Sequence, residues 1–149
     1  MTTFIEIIDN LNFHLDKLLN ELKSSPLIEL KDVENINGIY VFYENDEALY
    51  VGRTNNNRMR ERIKEHYKRY SNKNSATFAF LIARQNKMNS TLSTIETNEE
   101  DFFIRAKERV SKMKIKFIKV DDPIIQTILE PYIAFKLKTT ETYNSFKTH

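Results

Sequence analysis

Four basic side chains recur along one predicted helix at spacings that place them on a common face. Arg58, Arg62, His66 and Arg69 follow one another at steps of four, four and three residues. Residues three or four apart share one side of an α-helix, and concentrated positive charge attracts phosphate groups. The pattern therefore predicts a cationic edge that can bind phosphates.

A single carboxylate lies in another predicted helix that is otherwise mostly apolar. Glu130 is the only acidic residue between Asp122 and Glu141. A carboxylate that is buried without a partner costs free energy. Glu130 is therefore expected to reach solvent, to meet an arginine or to hold a cation.

The chain has two glycines, and both belong to short runs that also contain a tyrosine in a predicted strand. The runs are Gly38-Ile39-Tyr40 and Tyr50-Val51-Gly52. Glycine inside a strand is typical of a place where another group approaches the backbone closely. The two runs therefore predict a site of close approach on neighbouring strands.

Positive charge is concentrated in two segments, although the net charge of the chain is only +2. Residues 53–73 contain eight lysines and arginines against two glutamates, and residues 105–119 contain seven against one glutamate, so each segment carries +6. Four acidic residues between 96 and 101 partly compensate. Such segregation permits a basic face for phosphates, although the same charges could form an ordinary solvated helix face.

The composition is that of a folded globular domain. Hydrophobic residues make up 40% of the 149 residues and charged residues 30%, which is typical of one domain of this size. No apolar run approaches the about 20 residues of a membrane span, and the first residues lack a signal-peptide pattern. The absence of cysteine excludes disulfides, thiolate metal sites and cysteine nucleophiles. We therefore expect a cytoplasmic protein without a membrane segment.

Hydrophobic periodicity predicts helices and a hairpin in the first half of the chain. An amphipathic helix at residues 4–23 stops at Ser24-Ser25-Pro26, and residues 27–36 form a polar connection. The runs 39–43 and 48–51 predict a β-hairpin around residues 44–47. The next helix is expected to begin among Asn55, Asn56 and Asn57, whose side chains can cap it, and to end near Tyr70. Its core stripe comprises Met59, Ile63, Tyr67 and Tyr70.

The second half is predicted to contain two more helices before a last strand and helix. Residues 76–84 form a short apolar helix, residues 85–98 a loop, and residues 99–113 a helix. Residues 114–120 form a third strand, and Asp121 or Asp122 with Pro123 begins a helix that runs toward Leu137. The side chains expected to face inward from the helix at 99–113 are those of Phe102, Phe103, Ala106 and Val110.

Together these residues resemble the GIY-YIG endonuclease family. Gly38-Ile39-Tyr40 stands as the first signature and Tyr50-Val51-Gly52 as the second, with a valine replacement. The match covers about residues 37–146 as a nuclease core, with a helix-bearing segment at residues 1–26 appended and a longer insert between Tyr70 and Lys114. The resemblance implies an α+β fold with a small three-stranded antiparallel sheet flanked by helices, in a single domain over residues 1–149.

The resemblance also implies a metal-dependent DNA endonuclease that hydrolyses phosphodiester bonds. Glu130 looks like the metal ligand of the family, for Mg²⁺ or Mn²⁺, and hard oxygen ligands suit such cations. Arg62, with His66 one turn later, looks like the helix motif, and its guanidinium can donate two hydrogen bonds to the scissile phosphate. Tyr40 or His66 serves as the general base, and their reference pKa values of about 10 and near 6.5 leave both open.

The remaining implied positions support the reaction. Tyr50 positions water or phosphate, and Asn144, within Tyr143-Asn144, acts near the metal or holds the active-site loop. Gly38 and Gly52 belong to the structural motif. Contacts with the DNA backbone, which add affinity without reading sequence, are expected from Arg53, Arg58, Lys64 and Arg69.

Two other functions are compatible with the sequence. The chain could bind nucleic acid without cutting it, since it has two basic segments, or it could serve protein interaction through an apolar first helix that mediates self-association. The core leaves little room for a recognition domain. Specificity would therefore come from the insert, the first helix, a homodimer or a partner protein.

Overall fold

An antiparallel sheet of four strands carries helices on both faces in the computed structural model, which describes residues 3–89 and 99–144. Within these residues the strands are β1 (Ile28–Glu29), β2 (Gly38–Glu44), β3 (Glu47–Thr54) and β4 (Lys114–Lys119), in the order β1-β4-β2-β3. The helices are α1 (Phe4–Ser24), α2 (Met59–Glu65), α3 (Thr77–Met88), α4 (Glu99–Ser111) and α5 (Pro123–Lys136). The expected α+β fold is confirmed, with one strand more than the three predicted.

The additional strand lies in the segment predicted to be a polar connection. β1 is two residues long and pairs with β4, with Ile28 opposite Ile115. Leu30 and Val33, in the same segment, are buried in the core. The prediction for residues 27–36 was wrong because two residues are too short to show an alternating pattern.

The predicted hairpin is confirmed and extended at both ends. β2 and β3 pair from Gly38 opposite Thr54 to Glu44 opposite Glu47. Asn45 and Asp46 join them with φ values of 51° and 67°. This left-handed pair of residues matches the twist of the two strands, and Asn and Asp tolerate it better than most residues.

Alternation along β2 divides the core into two layers. Ile39, Val41 and Tyr43 pack toward α1 and α5, whereas Tyr40 and Phe42 pack with residues of α2, α3 and α4. Both faces of the sheet are therefore covered. The first tyrosine of the sequence motif faces the layer that contains α2.

The helix after the hairpin is shorter than predicted. It runs from Met59 to Glu65, and no asparagine side chain caps it from within residues 55–57. Its first amides instead bond to the loop before β2: the Met59 amide donates to the Ile36 carbonyl at 3.3 Å, and the Arg60 amide donates to Asn35 Oδ1 at 3.0 Å. Partners from a distant loop give no local sequence signal, which explains the error.

The early end of α2 changes the expected core stripe. Met59 and Ile63 are buried as predicted, and Tyr67 is half-buried. Tyr70 lies in a turn beyond the helix and is 83% exposed. Its assignment to the core was wrong because the helical period does not continue past Glu65.

The second half of the chain agrees more closely with the sequence. α3 begins at Thr77 but continues to Met88, so the predicted loop at residues 85–98 begins as helix, and its residues 90–98 lie outside the described part. α4, β4 and α5 confirm the predicted order, and Asp122 Oδ1 accepts a hydrogen bond from the Ile124 amide at 2.9 Å. Residues 145 and 146, at the end of the expected nuclease core, are also outside the described part. Across residues 3–89 and 99–144 no helix has both the length and the apolar character that crossing a membrane requires.

Candidate active site

A buried tyrosine and a buried histidine form a hydrogen-bonded pair at the centre of the motif residues. Tyr40 on β2 and His66 directly after α2 are 1% and 0% exposed. The Tyr40 hydroxyl lies 2.8 Å from His66 Nε2. The rings of Phe42 and Tyr50 meet the imidazole edge-on, with centroids at 5.2 and 5.6 Å. Aromatic packing on several sides therefore fixes the hydrogen-bonded pair.

Burial keeps both members of this pair uncharged near neutral pH. It raises the pKa of the Tyr40 phenol, an effect that the charge of Arg62 opposes. Burial and, to a smaller extent, the charge of Arg62 lower the pKa of His66 well below its ordinary value of 6.5. Both shifts have the signs expected when a charged form is desolvated. For Tyr40, burial outweighs the charge of Arg62, so the phenol is harder to ionise than an exposed tyrosine.

The predicted cationic edge is only partly present. His66 faces the core, and Arg69 lies beyond the end of α2. Arg58 and Arg62 remain together, because both contact Glu65, at 2.8 and 3.1 Å. The prediction of one shared face was wrong because it assumed a helix that continues to residue 70.

Gly52 is needed because the Tyr40 ring lies directly against its Cα. The two residues are opposite one another on β2 and β3, and a Cβ on Gly52 would lie 2.6 Å from Tyr40 Cε2 and closer still to the hydroxyl-bearing carbon. A Cβ on Gly38 would collide with the carbonyl of Ile118 on β4. Neither glycine has a positive φ. Both residues thus provide space for close packing, as the sequence indicates.

Arg62 and Tyr50 lie next to the Tyr40–His66 pair and are less deeply buried. The Arg62 side chain is 23% exposed, and its Nη1 donates to the Ser75 carbonyl at 2.6 Å in addition to its contact with Glu65. The Tyr50 ring stacks on Phe78 with centroids 4.7 Å apart and an angle of 10°. These contacts fix a guanidinium and a phenol in neighbouring positions.

Glu130 lies on α5, where that helix packs against β3, the edge strand of the sheet. Its side chain is 20% exposed, and Oε2 lies 3.4 Å from Arg53 Nε. Burial raises the pKa of the Glu130 carboxyl, whereas Arg53 lowers it. The sequence predicted that this carboxylate reaches solvent, meets an arginine or holds a cation. The structure shows contact with an arginine and partial access to solvent.

The charges of Arg62 and Glu130 act on both tyrosines of the motif. After burial, which is the largest cause, the pKa of Tyr40 responds to Arg62, Tyr50 and Glu130, and the pKa of Tyr50 responds to Arg62 and Glu130. Electrostatic influence of this kind requires short distances. Tyr40, Tyr50 and His66 are in direct contact, and Arg62 and Glu130 lie close enough to both phenols to act on them electrostatically.

The donor set around Glu130 is suited to a cation that takes most of its ligands from outside the protein. Within the described ranges no three His, Asp or Glu side chains are grouped as in an all-protein metal cage. Mg²⁺ is commonly held by one or two carboxylates together with water and substrate phosphates. A partly exposed carboxylate beside the motif residues fits that arrangement.

Asn144 holds the strand that carries Tyr50 and Gly52. Its Oδ1 accepts from the Val51 amide at 2.8 Å, and its Nδ2 donates to the Val51 carbonyl at 2.9 Å. β3 is an edge strand, and such edges expose unpaired backbone groups. Of the two roles that the resemblance left open for Asn144, the geometry supports holding the active-site strand.

The four residues expected to contact the DNA backbone have different surroundings. Arg53 pairs with Glu130, Arg58 pairs with Glu65, and Lys64 lies 3.8 Å from Glu61. Arg69 is exposed in the turn after α2. Their contact with DNA stays a prediction.

Sequence reasoning missed the groups that hold Arg62. Glu65 lies three residues after Arg62, a spacing that could have indicated an ion pair on the helix. The Ser75 carbonyl is a backbone group and leaves no signal in the residue types. Lys107, on α4, is buried and bonds to the carbonyls of Arg69 and Ser71 in the turn after α2, and no local pattern marks it as buried.

Comparison with known proteins gives one family. The family model described as the GIY-YIG catalytic domain matches residues 36–144. Neither the curated proteins nor the solved structures give a significant match. The matched range contains every residue of the site, from Gly38 to Asn144.

Proposed function

Because this chain belongs to the GIY-YIG family of nucleases, we propose that it is a metal-dependent DNA endonuclease that hydrolyses phosphodiester bonds. The observation that carries the proposal is that Arg62 and Glu130 lie close enough to Tyr40 and Tyr50 to act on both phenols electrostatically. A positive group and a carboxylate beside two phenols can together bind a phosphate, a cation and a water molecule.

Arg62 binds the scissile phosphate in this mechanism. Negative charge on the phosphoryl oxygens must be stabilised as the reaction proceeds. Nη1 of Arg62 bonds to the Ser75 carbonyl and to Glu65, which orients the planar guanidinium. Since this group has five N–H donors, its other N–H groups can serve two phosphate oxygens at once.

Glu130 is the residue that would hold a divalent cation. A bound Mg²⁺ would stabilise negative charge on the phosphate oxygens as a Lewis acid. Arg53 supports this role because it lowers the pKa of the Glu130 carboxyl, which burial raises. Arg53 thus favours the ionised carboxylate, which is the form that can bind a cation.

The proposed order of proton acceptors follows from the contact between Tyr40 and His66. His66 Nε2 lies 2.8 Å from the Tyr40 hydroxyl, and Arg62 and Glu130 act electrostatically on the Tyr40 phenol. A proton leaving water passes to the Tyr40 oxygen while the phenolic proton moves to His66 Nε2. In this proposal Tyr40 relays the proton and His66 is the final acceptor, which requires water to reach a hydroxyl that is buried in the free protein.

Substrate binding makes His66 a better acceptor. The charge of Arg62 is one of the two causes that lower the pKa of His66. A phosphate bound to Arg62 offsets this charge, so the pKa of His66 rises toward its ordinary value. Burial, which is the larger cause, continues to favour the neutral imidazole.

A cleavage assay with matched glutamate variants tests the proposal. Wild type, Glu130→Gln and the control Glu141→Gln, whose residue is exposed, are incubated with supercoiled plasmid and branched DNA in Mg²⁺ or Mn²⁺. We expect Glu130→Gln to reduce the rate by about 100-fold or more, which is the scale for losing one group that stabilises transition-state charge, and the control to match wild type. Equal rates for all three proteins would contradict the assignment.

A second candidate function is DNA binding without cleavage. It is favoured by the ion pairs of the site, since Glu130 contacts Arg53 and Arg62 contacts Glu65, so that each charge already has a partner. This function predicts salt-dependent DNA binding that Glu130→Gln leaves intact and no product at any metal concentration. Metal-dependent product formation by wild type would exclude it.

A further inference from the structure

The turn after α2 displays an aromatic side chain in a strongly basic segment. Tyr70 is 83% exposed, and Lys68, Arg69 and Lys73 surround it in the sequence. One exposed aromatic residue on a protein surface needs no special explanation. The significance of Tyr70 comes from the way in which the protein fixes its backbone.

A buried lysine holds the chain on both sides of Tyr70. Lys107 of α4 is 6% exposed, and its Nζ donates to the Arg69 carbonyl at 3.0 Å and also to the Ser71 carbonyl. The same Nζ lies 4.1 Å from the centroid of the Phe103 ring. Burying an ammonium group is costly unless it is hydrogen-bonded. The protein therefore uses an uncommon interaction to fix the two peptides that flank one exposed side chain.

The same turn is connected to the proposed active site. Five residues after Tyr70, the Ser75 carbonyl accepts the hydrogen bond from Arg62. Five residues span at most about 18 Å even when fully extended. The backbone of Tyr70 therefore lies within about 18 Å of the carbonyl that holds Arg62, a span of about five phosphates, since successive phosphates of one strand advance by about 3.4 Å along a duplex.

We propose that Tyr70 stacks on an unpaired base of the DNA substrate close to the phosphate that is cut. This inference rests on the proposed function and specifies its substrate as DNA with unpaired nucleotides, such as a gap or a branch. The basic neighbours contact the backbone, and an aromatic ring can stack on any base. Paired bases are already covered by their neighbours in a duplex. Tyr70 therefore distinguishes unpaired from paired DNA and does not read the base sequence.

The fixed backbone explains why one aromatic side chain suffices. Binding is weakened when flexible groups must be ordered, and preorganisation removes part of that cost. The contacts of Lys107 with Arg69 and Ser71 hold the turn before DNA arrives. Lys107 is thus a positioning residue for Tyr70.

Binding measurements with the full chain separate stacking from charge. Fluorescence anisotropy is measured in EDTA, so that no cleavage occurs, with a labelled duplex and with the same duplex containing a short single-stranded gap. We expect Tyr70→Ala to weaken binding of the gapped DNA by about 5- to 150-fold, the effect of losing one base–aromatic stack, and to change duplex binding by less than about twofold. Tyr70→Phe should bind both DNAs as wild type does.

Two further variants test the surroundings of Tyr70. Lys68→Ala should weaken binding to both DNAs and reduce the salt slope by about one, as expected for a phosphate contact. Lys107→Met keeps an apolar side chain of similar length but removes both hydrogen bonds, so it should weaken gapped-DNA binding while duplex binding persists. Thermal unfolding of each variant checks that the fold is retained.

The inference is overturned if Tyr70→Ala binds gapped DNA as wild type does, or if it weakens gapped and duplex DNA equally. A change in the sedimentation mass of Tyr70→Ala with unaltered DNA binding would identify a protein contact instead, and would also overturn it. These outcomes are independent of cleavage. A wild-type protein that prefers gapped DNA but forms no product would contradict only the proposed endonuclease activity.

Discussion

Adding one carbon at Gly52 should damage the site through Tyr40. The Cβ introduced by Gly52→Ala would lie 2.6 Å from Tyr40 Cε2 and closer to its hydroxyl-bearing carbon. Because Tyr40 is 1% exposed and hydrogen-bonded to His66 at 2.8 Å, the ring cannot shift without losing packing or that hydrogen bond. The clash therefore affects both the stability and the chemistry of the protein.

The magnitude follows from three contributions. Overpacking a well-filled core costs about 1 to 3 kcal/mol, and separating a buried hydrogen-bonded pair costs about 1 to 3 kcal/mol. Alanine is favoured over glycine in a strand by about 0.5 to 1 kcal/mol. We therefore expect Gly52→Ala to lower the free energy of unfolding by about 3 kcal/mol.

Urea unfolding of a double-mutant cycle with Tyr40→Leu measures this effect. The leucine lacks the ring atoms that the added Cβ would meet, so Gly52→Ala should cost close to nothing in the Tyr40→Leu background. Strong non-additivity is the signature of residues in direct contact. Additive effects, or a Gly52→Ala protein as stable as wild type, would show that the added Cβ does not press on the Tyr40 ring.

Three further perturbations probe other parts of the site. Burial lowers the pKa of His66, so the unfolded state binds more protons than the folded state below about pH 6.5. The free energy of unfolding should therefore fall with decreasing pH by up to about 1.4 kcal/mol per pH unit. Urea unfolding of His66→Leu at several pH values should show a shallower fall than wild type, and an unchanged slope would contradict this prediction. Asn144→Ala removes both bonds to Val51 and should cost about 2 to 4 kcal/mol, with faster hydrogen exchange at the Val51 amide; unchanged exchange would oppose the strand-holding role. Arg53→Gln removes a group that lowers the pKa of Glu130, so the acid limb of the pH profile of the cleavage rate should move to higher pH. An acid limb that stays in place would show that ionisation of Glu130 does not control it.

The order of the main elements was predictable because each has a strong local signal. The heptad-like spacing in α1, the apolar runs around Asn45-Asp46 and the Asp122-Pro123 start of α5 all act within a few residues. These signals predicted the hairpin and the late helix that carries Glu130. Two-residue β1 has no period, so its pairing with β4 could not be read from the sequence.

The residue types of the site were also predictable, but their environment was not. The motif predicted five residues to act together. In the structure Tyr40, Tyr50 and His66 are in contact, Arg62 and Glu130 act on both phenols electrostatically, and their joint role in catalysis stays a prediction. Helical periodicity placed His66 on the surface, whereas it is buried. Its position depends on where α2 ends, and no glycine or proline marks that end in the sequence.

The turn that follows α2 illustrates the same limit. Tyr70 continued the apolar stripe in the sequence but is exposed in the structure. Lys107, which looks like one more solvated charge, is buried against the carbonyls on either side of Tyr70. The burial of Lys107 depends on α4 packing beside the turn, a contact between residues far apart in the chain.

The proposal that Arg62 and Glu130 act on the same phosphate is tested by single-turnover rates of DNA cleavage at saturating DNA and Mg²⁺. The proteins compared are wild type, Arg62→Lys, Glu130→Gln and the double variant. Residues that act on one phosphate as a unit lose their effects non-additively. We predict that each single variant is slower than wild type by about 100-fold or more, and that the double variant is little slower than the slower single variant. Losses that multiply in the double variant, or a wild-type rate in either single variant, would contradict convergence on one phosphate.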